Sequence, residues 1–286
     1  MRYKFLRFPG GLRKAVTFSY DDSCRHDIRL VNTLNKYGIK CTFNINSDWI
    51  PEKEDEWHLT EREIRENIVN AGHEIAVHGA QHRAPGKISA IEGITDVLKC
   101  RLDLEKRFGM IIRGMAYPDS GIRLFANGAD YENIRRYLKD LGIVYSRTLG
   151  ADNDGFEMPT DWLAWVPTAH HINPQVFDYI EKFNAIEDKG YGASLTPKMF
   201  YLWGHSFEYE NNKNWDLLEK ICERLSGRDD VWYATNIEIY DYVTAYNSLV
   251  YSADGATVYN PTLIDVWIHI DENIKCVKSG ETVKLV

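Results

Sequence analysis

The chain of 286 residues is 44% hydrophobic and has a formal net charge of −8. This length is enough for one large core, or for a main domain with a small appendage. The acidic balance, with no Lys/Arg run and no zinc-finger spacing, argues against a nucleic-acid partner, and no apolar run could span a bilayer.

The cysteines and the N-terminal residues indicate the cellular compartment of the protein. The five cysteines include no C-x-x-C pair, which predicts free thiols in a reducing environment. Residues 1–16 contain basic side chains but no continuous apolar core, so they do not resemble a secretion signal. Both features predict a cytoplasmic protein. Cys24 is a candidate nucleophile, but the sequence identifies neither a base nor an orienting group for it.

Short apolar segments alternate with longer amphipathic ones. We predict strands at 15–20, 39–46, 73–78, 111–117, 143–149, 199–205 and 231–236. We predict helices at 27–38, 60–72, 88–108, 131–142, 175–187 and 214–227, and a last helix that ends near residue 249. This alternation is typical of parallel strands joined by crossover helices.

About seven strand–helix units favour an α/β fold, namely a distorted, incomplete (β/α) barrel formed by residues 1–249. No GxGxxG follows the first strand, so a dinucleotide-binding fold has no support. The helical period is absent from residues 250–286, where turn signals separate β-branched and aromatic segments. We predict a small antiparallel β extension there, which would cap the barrel or, alternatively, present a sugar-binding or dimer-forming surface.

Polar side chains follow several of the predicted strands. Asp21 and Asp22 follow the first strand, His78 follows the third, and His205 follows a late one. In (β/α) barrels the chemistry gathers at the carboxyl ends of the strands. We therefore expect these residues to lie together at the same end of the barrel.

Two of these groups suggest a metal site. His78 and His82 are four positions apart, which places them on one side of a helical turn and allows both to bind one ion. Asp22 is the candidate for the third ligand, since two His and one carboxylate with open positions suit a catalytic divalent ion. Asp21 would then stay free to take a proton from activated water.

Four motifs carry a resemblance to a known family. In chain order, "SYDDS", "HGAQH", "AYPDSG" and "LWGHSFE" resemble the motifs of the polysaccharide deacetylases, carbohydrate esterase family four, of the type that includes chitooligosaccharide deacetylases. The resemblance covers about residues 15–245, and it implies a distorted (β/α) barrel and a divalent metal ion, usually zinc (Zn²⁺).

The resemblance also implies roles for single residues. Asp21 resembles the general base, and His205 resembles the general acid that protonates the departing amine. Asp22, His78 and His82 resemble the metal ligands.

Further positions match the walls of the family's pocket. Tyr117 and Pro118 resemble a loop whose backbone N–H helps to hold the oxyanion. Asp161 and Trp162 resemble a motif whose Asp tunes the base through an Arg.

The sequence departs from the family pattern in the first motif, at Ser19, Tyr20 and Ser23, and at two later positions. Gly79 stands where family members commonly have Ser or Thr, and Ala116 stands where many have an Arg. Arg113, three residues earlier, either substitutes for that Arg or is an unrelated surface residue.

These residues predict a metal-dependent hydrolase that removes N-acetyl or O-acetyl groups from a carbohydrate or another acetylated small substrate. The closest alternative is hydrolysis of a non-sugar amide or a cyclic ureide or imide on the same scaffold. A non-catalytic carbohydrate-binding protein is a third reading, and it is disfavoured because Asp21 and His205 are both present.

Overall fold

The computed structural model describes residues 3–150, 155–189, 195–271 and 273–285. The strands are β1 (Lys4–Arg7), β2 (Lys14–Asp21), β3 (Cys41–Ile45), β4 (Glu74–Val77), β5 (Gly114–Ala116), β6 (Tyr145–Arg147), β7 (Ala169–His170), β8 (Lys198–Gly204), β9 (Val231–Tyr233), β10 (Val250–Tyr251), β11 (Thr257–Tyr259), β12 (Val266–Ile270), β13 (Asn273–Val277) and β14 (Thr282–Lys284). The helices are α1 (Asp27–Lys36), α2 (Glu61–Ile64), α3 (Ala90–Phe108), α4 (Tyr131–Asp140), α5 (Val176–Asn184), α6 (Ser206–Asn211), α7 (Trp215–Leu225) and α8 (Asn236–Asn247). In the described ranges, no helix is both long and apolar enough to cross a membrane.

The main sheet has the order β6-β5-β4-β3-β2-β8-β7, and β9 also pairs with β2. All its strand pairs are parallel. This curled sheet with its crossover helices confirms the predicted distorted, incomplete (β/α) barrel. Seven of its strands match predicted ones, whereas β7 was not predicted, because two residues are too few to produce a periodic pattern.

A connecting segment bridges the two edges of the sheet. The Trp165 N–H donates to the Ser146 carbonyl of β6 at 3.0 Å, and the Thr168 N–H donates to the Tyr201 carbonyl of β8 at 2.9 Å. The segment between Trp165 and Thr168 therefore spans from one edge strand towards the other, in place of a regular closing strand.

Strand β2 explains how a carboxylate comes to face the inside of the barrel. Phe18 and Tyr20 are buried in the apolar layer between the sheet and its helices. Because side chains alternate along a strand, Ser19 and Asp21 lie on the other face. There the Asn44 side-chain amide donates to Ser19 Oγ at 2.7 Å and to Asp21 Oδ1 at 2.8 Å.

Two small antiparallel sheets accompany the barrel, with the orders β1-β12-β13 and β10-β11-β14. Most of their strands come from the predicted C-terminal β extension, but β1 comes from the N-terminus and was not predicted. Tyr242 of α8 links these parts, because its hydroxyl donates to the Arg7 carbonyl at 2.8 Å and accepts the Trp267 N–H at 2.9 Å. Treating residues 250–286 as a separate unit stays a prediction.

Candidate metal centre and active site

The carboxyl ends of β2, β4 and β8 meet at one edge of the barrel and bring five predicted side chains together. Asp21 ends β2, His78 directly follows β4, and His205 directly follows β8. His205 Nε2 lies 3.9 Å from Asp21 Oδ2 and 3.8 Å from Asp22 Oδ2. His82 joins the cluster through its own contact with Asp22.

Asp22, His78 and His82 form an arrangement that fits a metal ion. Asp22 Oδ1 lies 3.5 Å from His78 Nε2 and 3.5 Å from His82 Nε2. Tetrahedral zinc with bonds of about 2.0–2.1 Å requires ligand atoms about 3.3–3.4 Å apart, which is close to these values. Asp22 Oδ1 is also buried without a hydrogen-bond partner among the described residues, and a cation would satisfy it.

A loop, not a helix, presents the two histidines, which corrects the expectation of a helical turn. Gly79 has φ of +72° and His82 has φ of +56°, so the chain turns twice between the ligands. His78 Nδ1 contacts the Ala116 carbonyl at 2.9 Å, which directs Nε2 towards the site. The Asn46 amide holds the loop by donating to the carbonyls of His78 at 2.5 Å and Gly79 at 3.0 Å.

Asp21 is almost completely buried and has a cationic partner. The Arg147 guanidinium donates from Nη2 to Asp21 Oδ2. Burial by itself would raise the pKa of Asp21, but Arg147, assisted by His78, His205 and Asn44, lowers that pKa to about 2. Asp21 is therefore an ionised acceptor, held in place from two sides by Arg147 and Asn44.

His205 has a carboxylate on each side of its ring. Its Nε2 faces the two aspartates, and its Nδ1 lies 3.4 Å from Glu208 Oε2. Burial alone would lower the pKa of His205, but Glu208 and the aspartates raise it above its ordinary value. Glu208 is only 22% exposed in its side chain and faces the histidine.

The family model for polysaccharide deacetylase matches residues 9–146, which include Asp21, Asp22, His78 and His82. Over these residues the chain is similar to the polysaccharide deacetylases. His205 and Arg147 lie beyond the matched residues. No curated protein matches the sequence.

Solved structures of similar fold include relatives with different assignments. A protein from Mycobacterium smegmatis assigned as a polysaccharide deacetylase is 17% identical, with a TM-score of 0.58 over 86% of this chain and 96% of that chain. Another so assigned, from Pseudomonas aeruginosa PAO1, is 16% identical, with a TM-score of 0.56 over 82% and 92%. PuuE allantoinase is 14% identical, with a TM-score of 0.55 over 82% and 91%. At these identities the likeness shows the fold alone.

Arg147 is the site residue that sequence reasoning missed, and Arg113 does not take its place. Arg113 lies at the amino end of β5, so it faces the opposite edge of the sheet, where it pairs with Asp241 at 2.6 Å. Of the two alternatives for Arg113, this contact favours the surface residue that is unrelated to the pocket. The signal for Arg147 was available, since it is an arginine at the carboxyl end of a predicted parallel strand.

Neither Tyr117 nor Pro118 has a backbone N–H that is free for an oxyanion. The Tyr117 N–H already donates to the Arg147 carbonyl at 2.9 Å, and Pro118 has no N–H. The Tyr117 hydroxyl donates to the Leu163 carbonyl at 2.8 Å, and its side chain is buried. Neither residue therefore supplies the backbone donor that the family resemblance implied.

Asp161 and Trp162 also lie outside the cluster. Asp161 Oδ2 accepts the Tyr131 hydroxyl at 2.6 Å and pairs with Arg135 at 3.2 Å. Trp162 packs against Trp165, with ring centroids 4.8 Å apart. Arg147 pairs directly with Asp21, and these contacts leave Asp161 without the tuning role implied by the resemblance.

Cys24 is not a nucleophile in this structure. Its side chain is buried, and Sγ lies 3.1 Å from Ser206 Oγ. Burial, and after it the nearby Asp27, raises the pKa of the Cys24 thiol to about 12. The thiolate needed for nucleophilic attack is therefore absent near neutral pH.

The departure from the family pattern at Gly79 has a steric explanation. A Cβ at this position would collide with Asp96 Oδ2. The other oxygen of Asp96, Oδ1, accepts the Gln81 N–H at 2.9 Å, so the carboxylate braces the loop between the two histidines. Asp96 thus supports the loop where family members commonly have a hydroxyl.

We expect Gly79→Ala to lower the free energy of unfolding by about 1–3 kcal/mol, because alanine is strained at this positive φ and because its Cβ displaces the Asp96 carboxylate. The same change is expected to weaken divalent-cation binding, because the displaced loop carries both histidines. Gly109→Ala is the matched control, with φ of +67° and no atom within 4 Å of the added Cβ. Urea unfolding and cation titration of both variants test this; equal cation affinity in both would contradict it.

Proposed function

We propose that this chain is a metal-dependent hydrolase that removes N-acetyl, or O-acetyl, groups from a carbohydrate. The observation that carries the proposal is that the side chains at the strand ends form two groups, one suited to bind a metal ion and one suited to transfer protons. Asp22, His78 and His82 converge on one point, and Asp21 and His205 border that point, with His205 Nε2 3.9 Å from Asp21 Oδ2. The match of residues 9–146 to the polysaccharide deacetylase model supports the acetylated carbohydrate as the substrate class.

Asp22, His78 and His82 would hold the ion. A divalent cation there supplies Lewis acidity, which polarises a carbonyl group and makes water a good nucleophile near neutral pH. The buried, unpartnered Asp22 Oδ1 and the fixed orientation of His78 both suit this role. Zinc matches the mixed imidazole and carboxylate ligands.

The protein's own groups would move the protons. Asp21 Oδ2 accepts a proton from the attacking water, and Arg147 keeps that carboxylate ionised and oriented until it does so. His205 Nε2 gives a proton to the nitrogen of the departing amine as the carbon–nitrogen bond breaks. Positioned acid–base groups of this kind are typically worth about 10²–10⁴-fold in rate. An amide needs this acid more than an ester does, because an amine leaves poorly without a proton, and this favours the N-acetyl substrate.

Aromatic side chains lie next to the histidines of the site, and they favour a substrate that contains sugar rings. Trp49 stacks on His82 with ring centroids 5.3 Å apart, and Phe207 lies 5.1 Å from the His205 ring. Trp57 packs on Phe207 and is 45% exposed. These rings offer apolar surface to the faces of a sugar.

The test is release of acetate from N-acetylated and O-acetylated oligosaccharides by the metal-loaded protein. Acetate release that is abolished by chelation and restored by the ion supports the proposal. Opening of a cyclic ureide or imide without acetate release would favour the alternative substrate class. Binding of the oligosaccharide with no turnover would favour a non-catalytic carbohydrate-binding protein.

We expect His78→Ala to lose both the bound cation and turnover. Its Nε2 is one of three converging ligand atoms, so its loss leaves only two of them. Elemental analysis after dialysis, together with the acetate assay, tests this. A variant that retained one tightly bound cation at this site would contradict the assigned ligand set.

A further inference from the structure

A second cluster of histidines lies on the far side of His205 from the two aspartates. Its centre is a single carboxylate oxygen, Glu208 Oε2. His170 Nε2 and His171 Nε2 each lie 3.3 Å from this oxygen, and His205 Nδ1 lies 3.4 Å from it. His170 ends β7, His171 follows it, and Glu208 lies on α6, so two strand ends and a helix converge here.

These separations are those of ligands around a cation. Tetrahedral zinc with bonds of about 2.0–2.1 Å places its ligand atoms about 3.3–3.4 Å apart. The ligand atoms of His170, His205 and Glu208 also lie within 4.8 Å of one another.

His171 supplies an independent observation. Its side chain is 0% exposed, and neither ring nitrogen has a hydrogen-bond partner among the described residues. Tyr209 stacks on the ring with centroids 4.1 Å apart, so the imidazole is fixed with Nε2 directed at Glu208. A buried polar group without a partner is costly, and His171 lies beside Glu208 as such a group on the buried side of the cluster.

We propose that His170, His205 and Glu208 form a second divalent-cation site, separate from that of Asp22, His78 and His82. Imidazole nitrogens and one carboxylate oxygen are ligands for zinc, cobalt and related ions. The two sites share the His205 ring, whose Nδ1 faces the second site while Nε2 faces the aspartates.

The shared ring makes the second site inhibitory, a consequence that rests on the proposed function. A His205 ring bound to a cation through Nδ1 cannot also carry protons on both nitrogens. It can no longer deliver a proton to the departing amine and regain one for the next turnover. Excess zinc is therefore expected to inhibit acetate release by filling the second site.

The binding test uses Co²⁺ and the full chain. Equilibrium dialysis is expected to find two Co²⁺ per wild-type chain, one for His170→Ala and one for His82→Ala. His269→Ala, which removes a histidine of β12 outside both clusters, is the control and should bind two. Visible absorption of the bound Co²⁺ should differ between the two single-site variants, because their ligands differ, and circular dichroism should verify that each variant is folded.

The outcomes separate this inference from the proposed function. One Co²⁺ in wild type that only His82→Ala removes would overturn the second site and leave the first. One Co²⁺ that only His170→Ala removes would support the second site and refute the first. For inhibition, His170→Ala should raise the inhibitory zinc concentration by at least about tenfold; an unchanged value, with two Co²⁺ bound in wild type, would overturn the inhibitory role.

Discussion

Asp21→Asn is expected to keep the bound divalent cation while kcat for acetate release falls by about 10²–10⁴-fold. The ligand atoms of Asp22, His78 and His82 are untouched by this change. The amide has nearly the shape of the carboxylate, and its oxygen can still accept the hydrogen bond from Asn44. It cannot take a proton from water, so turnover should fail while the cation stays bound.

Cation content and single-turnover acetate release, measured on the same preparation, check this prediction. Asp22→Asn is the matched control, because the neighbouring residue is changed in the same way and is expected to lose cation binding as well. Near wild-type turnover by Asp21→Asn would mean that another group is the base.

Arg147→Met is expected to produce the largest combined loss of stability and activity. The side chains of Asp21 and Arg147 are only 3% and 1% exposed. Removing the Arg147 guanidinium therefore leaves the buried Asp21 carboxylate without its charged partner. Breaking a buried ion pair in this way costs about 3–5 kcal/mol. Turnover is expected to fall by about 10²-fold or more, because the base loses the contact that orients it.

The double variant Asp21→Asn/Arg147→Met separates the two effects. It is expected to regain much of the lost stability, since neither charge is then left alone, but it should remain inactive. Arg113→Met is the control, because its partly exposed pair with Asp241 is worth at most about 1 kcal/mol and lies away from the site. Urea unfolding and acetate release measure both properties. Wild-type stability and turnover in Arg147→Met would show that the contact has no function.

The predicted strands and the residues that follow them agree well with the structure. Asp21, His78 and His205 were expected at one mouth because each follows an apolar segment that reads as a parallel strand. Parallel strands joined by crossover helices carry their carboxyl ends to the same edge, so this placement depends on local patterns and on one topological rule.

The less accurate predictions concern residues whose partners lie far away in the chain. Arg113 was placed by alignment to a motif, but its position at the amino end of β5 directs it to the other edge. The N–H of Tyr117 was expected at the oxyanion, but the parallel pairing of β5 and β6 leads it to the Arg147 carbonyl. Motif spacing carries no information about which neighbouring strand uses a given N–H.

The sequence by itself determined where strands end and which acids and histidines stand there, because hydrophobic period and short spacings are local properties of the chain. Only the tertiary structure decided which charges face one another. Arg147 and Asp21 are 126 positions apart, and they meet because the order of strands in the sheet turns both towards the inside of the barrel. Glu208 meets His170 and His171 in the same way, through a two-residue strand with no pattern of its own.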